Sequence, residues 1–141
     1  MKKITLKLKL TALTVLACIG LTNLNAQELL GQTQNGGTSS AGTMQIYDLA
    51  TDAVTKVHDF NNTNGSYPAG QPVLASDGMI YGATQQGGTS GFGVIYQFDL
   101  STNTYTVMHN FDNTNGSYPT DGQIEHSNGK LYGTAQQGGT S

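Results

Sequence analysis

The chain has 141 residues, a formal net charge of −3 and only 11% charged residues, well below the roughly 25% of ordinary soluble domains. All six basic residues are lysines, and there is one cysteine and no tryptophan. That balance excludes a basic nucleic-acid surface, a disulfide framework and a charge-rich coiled coil.

Residues 1–26 read as a secretory signal peptide. Lys2, Lys3, Lys7 and Lys9 form a basic start, and an apolar run follows over 10–21. A polar stretch then ends at the small residue Ala26. This is the three-part export pattern, with cleavage expected between Ala26 and Gln27. The apolar run is too short to span a bilayer comfortably. Val15-Leu16-Ala17-Cys18 loosely matches a lipid-attachment motif, but the residues after Cys18 stay apolar, so plain secretion is preferred. Cleavage would leave Lys56 and Lys130 against nine Asp/Glu, a net charge of −7, and no cysteine. The expected location is therefore outside the cell or at its surface.

Residues 27–141 are tandem repeats. Gly31, Gly82 and Gly133 stand 51 residues apart, as do His58 and His109, Phe60 and Phe111, and Pro68 and Pro119. Residues 29–79 align without a gap on 80–130, with 23 identities, and 131–141 matches 80–90 at 8 positions. Such a period must be recognised before any fold is assigned.

Each copy reads as four short strands. In the best-defined stretch the strands fall at 72–76, 79–84, 93–98 and 105–111, rich in β-branched and aromatic residues. Asp77-Gly78, the segment 85–91, the segment 99–103 and the segment 112–119 read as the turns and loops between them. No 3.6-residue periodicity follows residue 26. The fold class is all-β, with β-propeller-like repeats of about four antiparallel strands, seen as roughly two blades. Two blades cannot close a ring, which normally needs at least four. More repeats and an anchor are therefore expected in a longer protein. Gly82 is expected to let another backbone approach its strand.

The residues Tyr81-Gly82-Ala83-Thr84, Gly87-Gly88, Gly93, Tyr96, Phe98-Asp99, His109, Phe111, Gly116, Tyr118-Pro119, Asn128-Gly129 and Tyr132-Gly133-Thr134 form one pattern, and many of its positions recur at a fixed step. This pattern resembles the GloVer tandem repeat (Gloeo/Verruco) of secreted bacterial choice-of-anchor proteins, over essentially all of 29–141. The resemblance implies export and variable C-terminal anchoring, and no activity. A weaker likeness is to kelch repeats, whose blades usually carry a tryptophan.

Few residues offer chemistry. Strict alternation puts His58 on a strand face with Val54 and Phe60, and His109 on one with Tyr105, Val107 and Phe111. A packed, hydrogen-bonded histidine in each repeat explains them better than a repeated catalytic group. The loops 61–68 and 112–119 loosely match an oxygen-rich calcium loop. Turns whose Asn, Asp and Ser side chains bond their own backbone account for them better. The Asn-x-Ser/Thr matches there are read as chance in a bacterial-type export context. Asp48 and Asp99 recur at a turn position, and Glu125 occurs in one copy only, so no carboxylate pair for glycoside hydrolysis stands out.

Tyr67, Tyr81, Tyr118 and Tyr132, with the amides Gln85, Gln86, Gln136 and Gln137, are the ligand-binding candidates. Rings stack on apolar sugar faces and amides pair with hydroxyls. No catalytic residue, metal or cofactor is expected. The function read from the sequence is a non-catalytic scaffold or binding module for extracellular polysaccharide, a surface protein or further repeats of the same protein. The alternative is a carbohydrate-active propeller enzyme with its catalytic residues in other repeats.

Overall fold

The computed structural model describes residues 28–140. The expected signal peptide, its Ala26–Gln27 cleavage point and Cys18 lie outside the described residues. The described chain is all β-strand, turn and loop, in antiparallel sheets, none of which closes on itself.

The first sheet has the order β1-β2-β3, from β1 (Glu28–Thr33), β2 (Thr43–Asp48) and β3 (Ala53–Asp59). The second has four strands, β4 (Ser66–Leu74), β5 (Ile80–Gln86), β6 (Val94–Asp99) and β7 (Thr104–Asn110), in sequence order. Two small two-stranded pairs follow. β8 (Ser117–Pro119) pairs with β11 (Ala135–Gln137), and β9 (Ile124–Glu125) with β10 (Leu131–Tyr132).

The pairing register repeats with the sequence. Ser66↔Gln86 and Pro68↔Thr84 in β4–β5 become Ser117↔Gln137 and Pro119↔Ala135 in β8–β11. Leu74↔Ile80 likewise becomes Glu125↔Leu131 in β9–β10. Residues 117–137, from the end of the second copy into the third, thus rebuild the pairing of the first two strands of the four-stranded unit.

The turns form for local reasons. The carboxylate of Asp48 accepts the N–H of Ala50 at 2.8 Å, and that of Asp99 accepts the N–H of Ser101 at 2.8 Å. Asp52 and Asn103 then close the two hairpins at φ of 57° and 54°, a left-handed conformation that Asp and Asn tolerate.

Strand ends depart from the sequence expectation. Ser66–Pro68, inside a segment that reads as a loop, opens β4, and Ser117–Pro119 forms β8. Gln85 and Gln86 close β5 instead of starting a loop, and Gln136 and Gln137 lie in β11. The cause is long-range pairing. The N–H of Tyr67 bonds the carbonyl of Ala41 at 2.9 Å, and that of Tyr118 bonds Phe92 at 3.0 Å. These long-range bonds within each repeat hold a Gly-Ser-Tyr-Pro segment at a sheet end despite its turn composition.

The face of each histidine also differs from strict alternation. In β6–β7, Ile95 lies opposite His109 but Tyr96 lies opposite Val107, so Met108 is an extra bulged residue. Cross-strand partners share a face. His109 therefore joins Ile95 on one face, while Tyr105 and Val107 join Phe98 and Tyr96 on the other. The same shift at Met44/Gln45 puts His58 with Met44, away from Val54.

The core lies between the first two sheets. Met44 and Phe60 come from the first repeat, and Ile80, Tyr96 and Phe98 from the second, none more than 1% exposed. Leu30, Val57, Leu100 and Tyr105 pack around them. Gly82 serves this core in an unexpected way. A Cβ there would collide with the ring and hydroxyl of Tyr96, so the missing side chain admits an aromatic ring and not a second backbone.

Candidate functional site

The aromatic groups at the junction of the first two repeats are locked together. The imidazole of His58 stacks on Tyr105 with ring centroids 4.1 Å apart and an interplanar angle of 2°. Its edge meets Phe60 at 5.0 Å. Its Nε2 stands 3.4 Å from the Asn64 amide nitrogen. Burial lowers the pKa of His58 below its ordinary value, against the opposing pull of the Asp59 carboxylate. Burial also pushes the phenols of Tyr96 and Tyr105 far up. The Gln32 amide donates to the Tyr96 hydroxyl, and the Tyr105 hydroxyl donates to the Asn64 carbonyl at 2.7 Å. These groups are held as neutral packing elements.

The polar loops are occupied with their own backbone. The Asn61 side-chain oxygen accepts the N–H groups of Thr63 and Asn64 at 2.9 and 2.8 Å, and the Asn64 side chain returns a bond to the N–H of Asn61. Asp112 and Asn115 repeat this exchange one period later. The Thr114 hydroxyl, followed by backbone N–H groups, holds the Asp112 carboxyl below the usual carboxylate range. Among the described residues no group of three His, Cys, Asp or Glu side chains is placed to hold a metal ion.

The eight ligand candidates fall at two opposite ends of the sheets. One end carries Tyr67 with Gln85 and Gln86, and again Tyr118 with Gln136 and Gln137. Ser66↔Gln86 and Ser117↔Gln137 pair there, with both serines buried and Gln86, Gln136 and Gln137 exposed. Gln85, Tyr67 and Tyr118 are half-buried. Tyr67 and Tyr118 stand at φ of 56° and 54°, a left-handed conformation costly for a bulky residue. The Tyr118 ring rests edge-on against Phe92 at 5.7 Å.

Tyr81 and Tyr132 lie at the other end. Gln85 stands four positions along β5 from Tyr81, about 13 Å at about 3.3 Å per residue. The Tyr81 hydroxyl donates to Asp77 at 2.9 Å and accepts from the Gln97 amide at 2.8 Å. Burial first, then the Asp77 bond, raise its pKa. The Tyr132 hydroxyl accepts from Asn128, the counterpart of Asp77, at 3.3 Å. Each tyrosine at this end is thus tied to the turn just before its strand.

One contact escapes the repeat pattern. The Glu125 carboxylate accepts the Ser76 N–H at 2.9 Å and the Ser76 hydroxyl at 2.5 Å, joining two repeats. His126 stands beside them in a shallow cavity of about 240 Å³. The arrangement is a clasp and not a nucleophile with its base. The Ser76 proton goes to Glu125, and Nδ1 of His126 accepts the Asn128 N–H at 3.2 Å. The one sequence signal for it is that Glu125 replaces Leu74 of the preceding copy.

These observations define a class of protein: an all-β chain of tandem repeats joined by face-to-face sheet packing, with polar side chains recurring at the sheet ends. The Gloeobacter/Verrucomicrobia repeat model matches residues 8–141, and the chain belongs to that repeat family. No curated protein and no solved structure matches the chain.

Proposed function

We propose that this is a secreted or cell-surface scaffold or binding module without catalytic activity, its repeats arranged as blades of a β-propeller. One observation carries the reading. The recurring turn carboxylates of Asp48 and Asp99 are engaged by backbone N–H groups and His58 is stacked on Tyr105, while exposed amides recur at one sheet end. Repetition of a binding end multiplies weak contacts along an extended ligand.

The end bearing Gln85, Gln86, Gln136 and Gln137, with Tyr67 and Tyr118, fits an extracellular polysaccharide. Amides bond sugar hydroxyls, and aromatic rings cover the apolar sugar face. Rigid strands present these groups, which limits the entropy lost on binding.

The test is binding of the full chain to a panel of bacterial polysaccharides, with Gln86→Ala/Gln137→Ala beside it. The expected result is retention of at least one polysaccharide and about tenfold weaker binding by the double variant. Unchanged binding would remove these amides from the site. Turnover of the retained polysaccharide would replace the binding reading with the enzymatic one. Export is checked separately by N-terminal sequencing of the secreted chain, expected to begin at Gln27.

A further inference from the structure

Four asparagines precede a glycine, in Asn35-Gly36, Asn64-Gly65, Asn115-Gly116 and Asn128-Gly129. In this dipeptide the backbone nitrogen of the glycine can attack the side-chain amide carbon of the asparagine, because no side chain on the glycine blocks the approach. The reaction needs a free side chain, a free glycine nitrogen and room to bring them together. Three of the four sites are denied this by their surroundings.

The Asn64 side-chain oxygen accepts the N–H of Asn61 at 2.9 Å, its carbonyl accepts the Tyr105 hydroxyl at 2.7 Å, and Gly65 is buried against Thr84 and Val94. One period later the Asn115 side chain accepts the N–H of Asp112 at 3.1 Å and donates to the Asn110 carbonyl at 3.4 Å, with Gly116 buried. At the third site the attacking nitrogen is itself engaged. The Gly129 N–H donates to the His126 carbonyl at 2.9 Å, and the Asn128 side-chain oxygen accepts the Lys130 N–H at 3.0 Å.

Asn35 differs on each count. It lies exposed in the loop between β1 and β2, and its side chain makes no hydrogen bond to another described residue. Gly36 is exposed at φ of 92°, its N–H has no acceptor among the described residues, and an added Cβ would meet nothing within 4 Å. The following copies carry Gln86 and Gln137 at this position, each also followed by glycine. Their side chains are one methylene longer and would have to close a larger ring, which forms more slowly.

We propose that Asn35 is a self-modification site, where the first repeat converts its amide into a carboxylate without an enzyme. The Gly36 nitrogen gives up its proton and bonds to Asn35 Cγ. The Cγ–Nδ2 bond breaks, and ammonia leaves with that proton. Water then opens the cyclic imide at either carbonyl, giving aspartate or, with the backbone rerouted through Cγ, isoaspartate. One water is consumed and one ammonia released, with no change of oxidation state. The product puts a negative charge at the counterpart of Gln86 and Gln137, in the first repeat alone. The modification follows from the exposure of the loop and stands whether or not the amide-bearing end binds polysaccharide.

The test follows the full chain in mildly alkaline buffer by peptide mapping with mass spectrometry, beside the same chain in concentrated urea and an Asn35→Gln variant. In the folded chain, exchange of amide for acid at Asn35 should run at least about tenfold faster than at Asn64, Asn115 or Asn128, which must first open locally. In urea the four rates should come within about threefold of one another, because only the shared Asn-Gly sequence remains. Asn35→Gln, which carries the residue of the other copies, should remove the early release of ammonia and leave the unfolding midpoint unchanged. Equal rates at the four sites in the folded chain would overturn the proposal, and so would faster loss at any of the three held sites. A contrast that persists in urea would trace it to neighbouring residues and overturn the structural account.

Discussion

The two junctions of this chain are built from the same sequence pattern, yet only one is filled. Between the first and second sheets, Phe60 is fully buried and His58 is stacked. Between the second sheet and the third copy, Phe111 retains 8% exposure and His109 is exposed. Both phenylalanines meet their own histidine edge-on, at 5.0 and 5.1 Å, so the local geometry is already set within each repeat. The difference comes from the partner. A repeat's last strand does not bury its own aromatic groups; the following repeat does. Stability in such an array is carried by nearest-neighbour interfaces.

The largest effect should come from emptying one junction and then the other. Phe60→Ala is expected to cost about 3–5 kcal/mol, the usual range for a fully buried phenylalanine. Phe111→Ala should cost less than half as much, because part of its contact shell is missing. Urea midpoints of the two variants measure this directly. Equal losses would mean that the second junction is as well packed as the first.

A smaller contrast separates the glycines. Gly82→Ala forces a methyl group into the Tyr96 ring and should cost about 1–3 kcal/mol, as overpacking does. Gly133→Ala meets only the flexible Gln123 side chain and should change stability by no more than about 0.5 kcal/mol. Thermal unfolding of both variants decides the matter. A large loss at Gly133 would show that its surroundings are already closed.

Much of this was legible before any coordinates. The 51-residue step gives the unit, and the Asp-Gly, Asn-Gly and Asp-x-x-Thr segments mark most turns. Strand ends were not legible, because Ser66–Pro68 is held in β4 by the Tyr67–Ala41 bond, between residues far apart in sequence. The histidine faces were hidden by the bulges at Val57 and Met108, which carry no residue signature of their own. The candidate site was legible only as a residue list. Tyr81 and Gln85 sit on the same strand, but its length places them at opposite ends. The Ser76–Glu125 clasp breaks the period, so reading by repeats passes over it.

The smallest of the expected effects is a pH dependence confined to the filled junction. Burial lowers the pKa of His58, so the folded state favours the neutral imidazole and the unfolded chain binds the proton more readily. The stabilising contribution is therefore complete above the ordinary value of 6.5 and declines as pH falls through the lowered folded value. The turn carboxylates do not obscure this window. Asp48, Asp59, Asp99 and Asp112 are all held below their ordinary value of 3.8 by hydrogen bonds, and they titrate at lower pH. Unfolding midpoints should fall between about pH 7.5 and pH 5 in the wild-type chain. In His58→Gln the midpoint should be lower throughout, from lost stacking on Tyr105, but flatter across that range. A variant with an unchanged slope would assign the acid sensitivity elsewhere and leave His58 a packing group whose charge state the junction does not sense.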